Sequence, residues 1–351
     1  MAGLPTSAFD YELPDELIAQ EPVEPRESSR LMVVDRRRGT IAHHHFFDLP
    51  ELLEAPDILV RNDSKVIPAR LLGQRLATGG RWEGLFLREL EDGTWEVLAS
   101  TRGRPAPGEQ VIVGRGLVLI LERRQENGHW VVRPHLQEAP GGSRTTLALL
   151  EEHGQVPLPP YIRKGREGPG DRVRYQTVYA QRPGSIAAPT AGLHFGASVF
   201  RRLEQRGIHW ADLTLHVGVG TFRPIETDAI EDHIMHSEWA ELRAETAALL
   251  NHHRTRGGRI VAVGTTSART LETAAASGTI QPFSGFTNLY LRPGHVFQGL
   301  DALITNFHLP RSSLLVLVSA LAGTELIRAA YAEAISQRYR FYSYGDAMLI
   351  I

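Results

Sequence analysis

Three short stretches from distant parts of the chain join an imidazole to glycine, threonine, asparagine or proline. They are Ala188-Pro189-Thr190-Ala191-Gly192-Leu193-His194-Phe195, Leu215-His216-Val217-Gly218-Val219-Gly220-Thr221-Phe222 and Leu303-Ile304-Thr305-Asn306-Phe307-His308-Leu309-Pro310. Glycine lets backbone approach a ligand closely, threonine and asparagine supply fixed hydrogen bonds, and neutral imidazole exchanges a proton near pH 7. A segment that only fills a core needs no such mixture. The three together predict one site assembled from distant loops, lined by His194, His216 and His308, and therefore an enzyme.

A second constellation is Gly264-Thr265-Thr266-Ser267-Ala268-Arg269-Thr270, where a strand ends and a helix begins. First-turn amides there lack partners, and the helix dipole favours an anion. Capping alone would be met by one hydroxyl residue, and here there are three, so a ligand carboxylate or phosphate is expected. Asn62-Asp63-Ser64-Lys65-Val66-Ile67-Pro68-Ala69-Arg70 puts polar groups after a buried strand, with Lys65 and Arg70 suggesting the edge of a polyanion site. Tyr161-Ile162-Arg163-Lys164-Gly165-Arg166, followed by Arg172 and Arg174-Tyr175, mixes cations with aromatics. That pattern suits gripping a nucleic-acid backbone and stacking a base, although a solvated charged loop has the same composition.

His43-His44-His45 is expected as an exposed strand or turn, and no metal is expected, because no His-Glu-x-x-His or comparable carboxylate cluster appears. The Gly-x-Gly-x-Gly turn of methyltransferases, the dinucleotide fingerprint and the phosphate-binding Walker loop are also missing.

These residues need a frame. Leu31–Asp35, Asp57–Val60, Trp210–Val217, Arg259–Gly264 and Ala302–Phe307 read as strands. Thr145–His153, Val199–Arg206, Glu238–Arg254, Thr265–Ala276 and Ser313 to about Gln337 read as helices. The opening Phe9–Gln20 suggests a strand and then a short helix with Pro14 in its first turn. Strand–loop–helix repetition predicts an α/β fold: a mainly parallel sheet with helices on both faces. Between about Ile67 and Leu136, short alternating runs are punctuated by Thr78-Gly79-Gly80, Asp92-Gly93 and Asn127-Gly128. This texture predicts a small antiparallel β-barrel, inserted because α/β texture lies on either side of it. The expected division is 1–66 with 154–351 as the catalytic domain, and 67–153 as the barrel.

The chain has 351 residues, a hydrophobic fraction of 42%, a charged fraction of 22% and a net charge of −2, ordinary for a globular protein and too balanced for a nucleic-acid sponge. Nearly all cations are arginine, with Lys65 and Lys164 the only lysines. No cysteine means no disulfide framework and no thiolate metal site. No apolar run reaches bilayer span, and the N-terminus lacks a signal-peptide layout, so no membrane is expected and the cytoplasm is the expected location. Residue types and spacing alone thus deliver an α/β enzyme with an inserted barrel and an anion pocket, but no reaction.

The same segments resemble the S-adenosylmethionine:tRNA ribosyltransferase-isomerase (QueA) family of queuosine biosynthesis. The resemblance rests on Tyr11-Glu12-Leu13-Pro14, Asn62 to Arg70, Pro157 to Ile162 and Arg174-Tyr175-Gln176-Thr177-Val178-Tyr179-Ala180. It continues through the three histidine segments, Val263 to Ser267 and Tyr344-Gly345-Asp346-Ala347-Met348-Leu349, and runs in order from about residue 9 to the C-terminus. Ser64-Lys65 stands where the family pattern has Thr-Arg, and Arg292 and His295 where it has aromatics.

The resemblance implies transfer and isomerisation of the ribosyl group of S-adenosylmethionine onto the aminomethyl group of 7-aminomethyl-7-deazaguanine at the tRNA wobble position. The products are epoxyqueuosine-tRNA, adenine and methionine. It implies His194 and His216 as proton-transfer groups, with Asp346 as a further acid/base. It implies Thr265, Thr266 and Ser267 at the methionine carboxylate and Thr190, Gly192, Asn306 and His308 around ribose or adenine, with Phe195 or Phe222 stacking a base. Arg70, Tyr161, Arg163, Lys164, Arg166 and Arg174 would meet the tRNA, and a monomer is expected. The competing readings are an S-adenosylmethionine-dependent tRNA methyltransferase and a non-catalytic tRNA-binding protein.

Overall fold

The computed structural model describes residues 3–114, 116–136, 144–218, 220 and 224–351. The chain forms two compact units. One comprises Met1–Lys65, Tyr161–Lys164 and Val173–Ile351, the other Val66–Pro160 and Gly165–Arg172. The second unit therefore runs past residue 153, where alternating β-texture and the following helix end in the sequence.

The larger unit is built on a nine-stranded sheet. Its order is Phe283–Thr287, Glu238–Leu242, His209–Leu215, Ile58–Asn62, Ile260–Val263, Ala302–Asn306, Ala347–Ile350, Arg30–Asp35 and Thr40–His45. The four strands from His209–Leu215 to Ala302–Asn306 are mutually parallel. Ala347–Ile350 then runs antiparallel to Ala302–Asn306 but parallel to Arg30–Asp35, so the sheet is mixed around a parallel centre. Every residue of Ile58–Asn62, Ile260–Val263 and Ala302–Asn306 is buried, as expected of parallel strands covered on both faces. Alternate residues of these strands enter two separate cores. Ile58, Val60, Ile260 and Leu303 pack with Leu250, Leu271, Val316 and Ile327 from helices Ala244–Thr255, Thr265–Ala274, Ser313–Ala322 and Thr324–Ser336. Leu59, Val261 and Ile304 pack instead with Val199 and Leu203 of helix Ala197–Gln205.

Three sequence expectations are corrected. Glu238–Arg254 is not one helix: Glu238–Leu242 is a strand and Ala244–Thr255 the helix. Glu238, Ala240 and Leu242 are buried while Trp239 and Glu241 are half-buried, a period of two that fits a strand paired on both sides. The final helix is two, Ser313–Ala322 and Thr324–Ser336, bent by 115°. Gly323 at the junction has φ 92°, which no residue with a side chain adopts cheaply. The opening segment holds only the 3-10 turns Thr6–Phe9 and Asp15–Leu17, with Pro14 capping the second from outside.

The smaller unit is a closed antiparallel barrel of six strands, in the order Trp130–Leu136, Trp95–Thr101, Arg81–Glu89, Arg70–Arg75, Gln110–Val113 and Leu117–Arg124. Trp82, Phe86, Trp95 and Val111 fill it, and Leu149 and Leu150 of helix Thr146–His153 join that core. Trp95 Nε1 donates to Thr146 Oγ1 at 3.0 Å, satisfying a buried polar group. Arg70 and Gln155 exchange backbone hydrogen bonds, N–H to O, of 3.1 and 2.8 Å, so the segments entering and leaving the barrel are joined. Among the described residues no single helix is long and apolar enough to cross a membrane.

Candidate active site

Parallel strands in an α/β sheet open their carboxyl ends to ligands. Here Leu215, Asn62, Val263 and Asn306 end four neighbouring strands at one edge. Asn62, fully buried, stitches that edge: Oδ1 accepts from Leu215 N at 3.0 Å, and Nδ2 donates to Leu215 O at 2.9 Å and Thr266 Oγ1 at 3.2 Å.

At one end of the edge, Thr190, Asn306 and His308 line a single small cavity with Tyr161, Tyr342 and Ser343. His194 does not line it; it is buried, stacked on Phe46 at 5.2 Å, and lines a separate small cavity with Arg26 and Tyr344. Its Nδ1 is 2.7 Å from Ser29 Oγ and its Nε2 3.1 Å from Asn306 Nδ2. That amide nitrogen also donates to Tyr342 O at 3.2 Å, so it is the donor, His194 Nε2 accepts, and the ring proton sits on Nδ1 facing Ser29. Asn306 Oδ1 is left buried with no hydrogen-bond partner among the described residues. His308 Nε2 is 2.8 Å from Thr305 Oγ1. Its backbone is held from both sides: N donates to the Tyr331 hydroxyl at 2.9 Å, and the Tyr11 hydroxyl donates to its carbonyl.

Burial drives both imidazoles down to about 3, and for His194 the nearby Arg340 and Arg26 add to the effect. The two rings are therefore neutral in the folded protein at any working pH. In the unfolded chain they take up protons near pH 6.5. Stability from these histidines is thus fully present above about pH 6.5 and is lost as pH falls toward 3, by up to about 1.4 kcal/mol per pH unit for each ring. The raised carboxyls of Asp63 and Asp346 act in the opposite sense. Replacing His308 with glutamine should flatten the acid limb of a urea-unfolding profile, and a limb of unchanged steepness would contradict the assignment.

Thr265, Thr266 and Ser267 open helix Thr265–Ala274 after Gly264, whose φ is 91°. Ser267 Oγ donates back to Val263 O at 2.8 Å and Thr266 Oγ1 accepts from Asn62, so these hydroxyls serve the fold. No side chain caps the helix, and its first-turn amides are the groups suited to an anion. Arg269 does not face that anion position. It pairs instead with Glu238, both being almost fully buried, and Glu238 Oε1 also accepts from Gly218 N at 2.8 Å.

His216 follows the strand at the other end of the edge. From strand order it lies three spacings from Asn306, about 14 Å, and it does not line the Asn306 cavity. Its ring stacks on Trp239 at 5.3 Å and 19°, and Gly184 comes so close that a Cβ there would sit 3.0 Å from the ring. Burial, and secondly Arg182, lowers its pKa below the ordinary imidazole value. Nδ1 is buried with no hydrogen-bond partner among the described residues.

Other sequence candidates take structural places. Asp346 is buried and accepts from Arg30 N at 2.9 Å and Arg340 N at 2.8 Å; burial raises its pKa despite those bonds. Gly192 has no open side, since a Cβ would lie 2.1 Å from the Tyr179 hydroxyl. Gly192→Ala should therefore cost about 1–3 kcal/mol of stability by overpacking, measurable by urea titration. Phe195 is a core ring, 4.8 Å from Phe46 and stacked on Phe200 at 5.1 Å, with no face for a base. Phe222 lies outside the described residues.

Arg70 pairs with Glu83 at 2.7 Å, and Arg174 with Glu24 at 2.8 Å. Tyr161 bonds Ser343 Oγ at 2.8 Å, and Arg163 N donates to Gln20 Oε1 at 2.8 Å; Lys164 and Arg166 are exposed. His43 Nδ1 reaches the Tyr339 hydroxyl at 2.8 Å, and among the described residues no group of three potential ligands could hold a metal. Sequence reasoning missed Ser29, Tyr342 and Glu238, whose partners lie more than 30 residues away or belong to no recurring motif.

A ligand edge on a parallel sheet, with a neutral imidazole at each end and an uncapped helix start between, defines an α/β enzyme carrying an inserted barrel. A family model described as a queuosine biosynthesis protein matches residues 6–350. The chain belongs to this family. It is 52% identical to the S-adenosylmethionine:tRNA ribosyltransferase-isomerase of Symbiobacterium thermophilum over 98% of its length and 99% of the relative's. It is 50% identical to the protein of that name from Moorella thermoacetica, with 98% of each chain covered. It also matches the crystal structure of an S-adenosylmethionine tRNA ribosyltransferase from Thermotoga maritima with a TM-score of 0.56 and 38% identity, covering 98% of this chain and 100% of that one.

Proposed function

We propose that the protein transfers the ribosyl group of S-adenosylmethionine to tRNA and isomerises it, as a step of queuosine biosynthesis. The acceptor is the aminomethyl group of 7-aminomethyl-7-deazaguanine at the wobble position, and the products are epoxyqueuosine-tRNA, adenine and methionine. The observation that carries this reading is likeness along the whole chain, barrel included, at 52% and 50% identity to two ribosyltransferase-isomerases. The protein would act in the cytoplasm as a monomer.

The residues present fit such a co-substrate. The buried, unpartnered Asn306 Oδ1 suits an exocyclic amine or a ribose hydroxyl, with Thr190 and His308 beside it. The uncapped first turn at Thr265, Thr266 and Ser267 suits the methionine carboxylate. S-adenosylmethionine, when bound, supplies a sulfonium that acidifies the adjacent C5′ hydrogens and an adenine able to depart. His216 is the proton acceptor: its ring is held neutral and clamped by Trp239, with Nδ1 unengaged. His194 serves through Asn306, holding that side chain with its carbonyl free for the ligand. Asp346 anchors Arg30 and Arg340 rather than moving protons.

Incubation with S-adenosylmethionine and wobble-modified tRNA should yield adenine and methionine, with epoxyqueuosine found by nucleoside mass spectrometry. S-adenosylhomocysteine as the product would mean a methyltransferase, and tRNA binding without turnover a non-catalytic binder. Asn306→Ala should weaken S-adenosylmethionine binding by roughly 5- to 100-fold, since leaving the ligand's buried donor without its partner costs about 1–3 kcal/mol. Calorimetric titration of a variant that melts like wild type checks this.

A further inference from the structure

We propose that a groove on the outer face of the barrel unit binds the sugar-phosphate backbone of the tRNA, with Arg81 and Arg102 as its phosphate contacts. The inference rests on tRNA being the substrate. The groove, of about 750 Å³, runs across strands Arg70–Arg75, Arg81–Glu89 and Trp95–Thr101 and is closed on one side by Gln155, Arg166 and Glu167. Register places Leu72 opposite Glu83, Gln74 opposite Arg81 and Glu83 opposite Ser100, so the outward residues of neighbouring strands share this surface. Trp82 pairs with Thr101, so Arg81 and Arg102 follow as neighbours across that pair and bring two guanidinium groups to one end of the groove.

The charges in the groove are unequal in availability. Glu83 is held by Arg70 at 2.7 Å, and Arg70 also donates to the Gly165 carbonyl. Glu167 accepts from Val156 N at 2.8 Å and pairs with Arg172 at 3.3 Å. Both acids are thus engaged in fixing the groove wall. Arg81, Arg102 and Arg166 are exposed, and no ion pair or side-chain hydrogen bond among the described residues engages their guanidinium groups. The whole unit carries equal numbers of arginines and acidic residues, so this positive groove is a local excess in a neutral module. A neutral module with one cationic groove suits a polyanion held at a defined place, and guanidinium forks suit phosphate oxygens. Leu72, exposed at the centre, offers an apolar contact to a ribose.

The test compares Arg81→Glu/Arg102→Glu with a control double reversal, Arg123→Glu/Arg124→Glu, of equal charge outside the groove. Fluorescence anisotropy of wobble-modified tRNA is followed over a salt series, with S-adenosylmethionine binding and melting temperature measured in parallel. The groove variant should lose at least tenfold in tRNA affinity, and the slope of log affinity against log salt should shrink by about 1.4 to 1.8. Its S-adenosylmethionine affinity and turnover at saturating tRNA should stay within about twofold, and the control should bind like wild type. Wild-type affinity and slope in the groove variant overturn the inference, as does an equal loss in the control. Wild-type protein that binds no tRNA overturns the reading beneath it, and the inference with it.

Discussion

His216→Asn is expected to abolish adenine release while S-adenosylmethionine binding stays within about tenfold, roughly 1.4 kcal/mol. Asparagine fills part of the ring's place against Trp239 and near Gly184 and keeps a hydrogen-bonding amide, but it cannot accept a proton at any working pH. Binding and proton transfer therefore separate in this variant, which a loss of folding would not achieve. The wild-type enzyme supplies a second readout. Burial and Arg182 lower the pKa of His216, so the free base survives below the usual imidazole range as pH falls. The acid limb of kcat/KM should accordingly lie below pH 6.5, the value of an unperturbed imidazole. Adenine measured by chromatography, with calorimetry for binding, decides the matter; undiminished turnover removes His216 from the mechanism.

Glu238→Ala should cost about 3–5 kcal/mol of stability, because it strands the buried Arg269 guanidinium without its counter-charge. Arg269 Nε is already buried with no hydrogen-bond partner among the described residues, so the site has little spare capacity to absorb the loss. The same substitution frees Gly218 N, in the segment that carries His216. Adding Arg269→Met should recover part of the loss, since it removes the stranded charge while the smaller alanine still leaves a gap and Gly218 N unpaired. Urea unfolding of the single and double variants reads this directly. A single variant as stable as wild type would show that water reaches the pair.

Much of this was legible in residue order. Continuous apolar runs such as Ile260–Val263 announce parallel strands buried on both faces, and the barrel shows in its short alternating runs and glycine turns. Thr190, Asn306 and His308 line one cavity, but His194 and His216 do not, so the three imidazoles expected to line a single site share no cavity. The failures have physical causes. Glu238-Trp239-Ala240-Glu241-Leu242 carries good helix formers, and only its partners on both sides make it a strand. Gly192 reads as open backbone, yet Tyr179 from 13 residues earlier fills its open side. Ser29, whose hydroxyl faces the Nδ1 proton of His194, sits 165 positions away in no pattern that sequence spacing could expose.

The paired backbone bonds between Arg70 and Gln155 have a consequence for how such a chain can vary. A segment whose two ends are clasped presents its host with the same short connection whatever its length, because closure entropy rises only slowly with added residues. The barrel can therefore be lengthened, trimmed at its turns or exchanged for another module with clasped ends. Variation in that region would change the barrel's turns and outer face without altering the strand order of the large sheet.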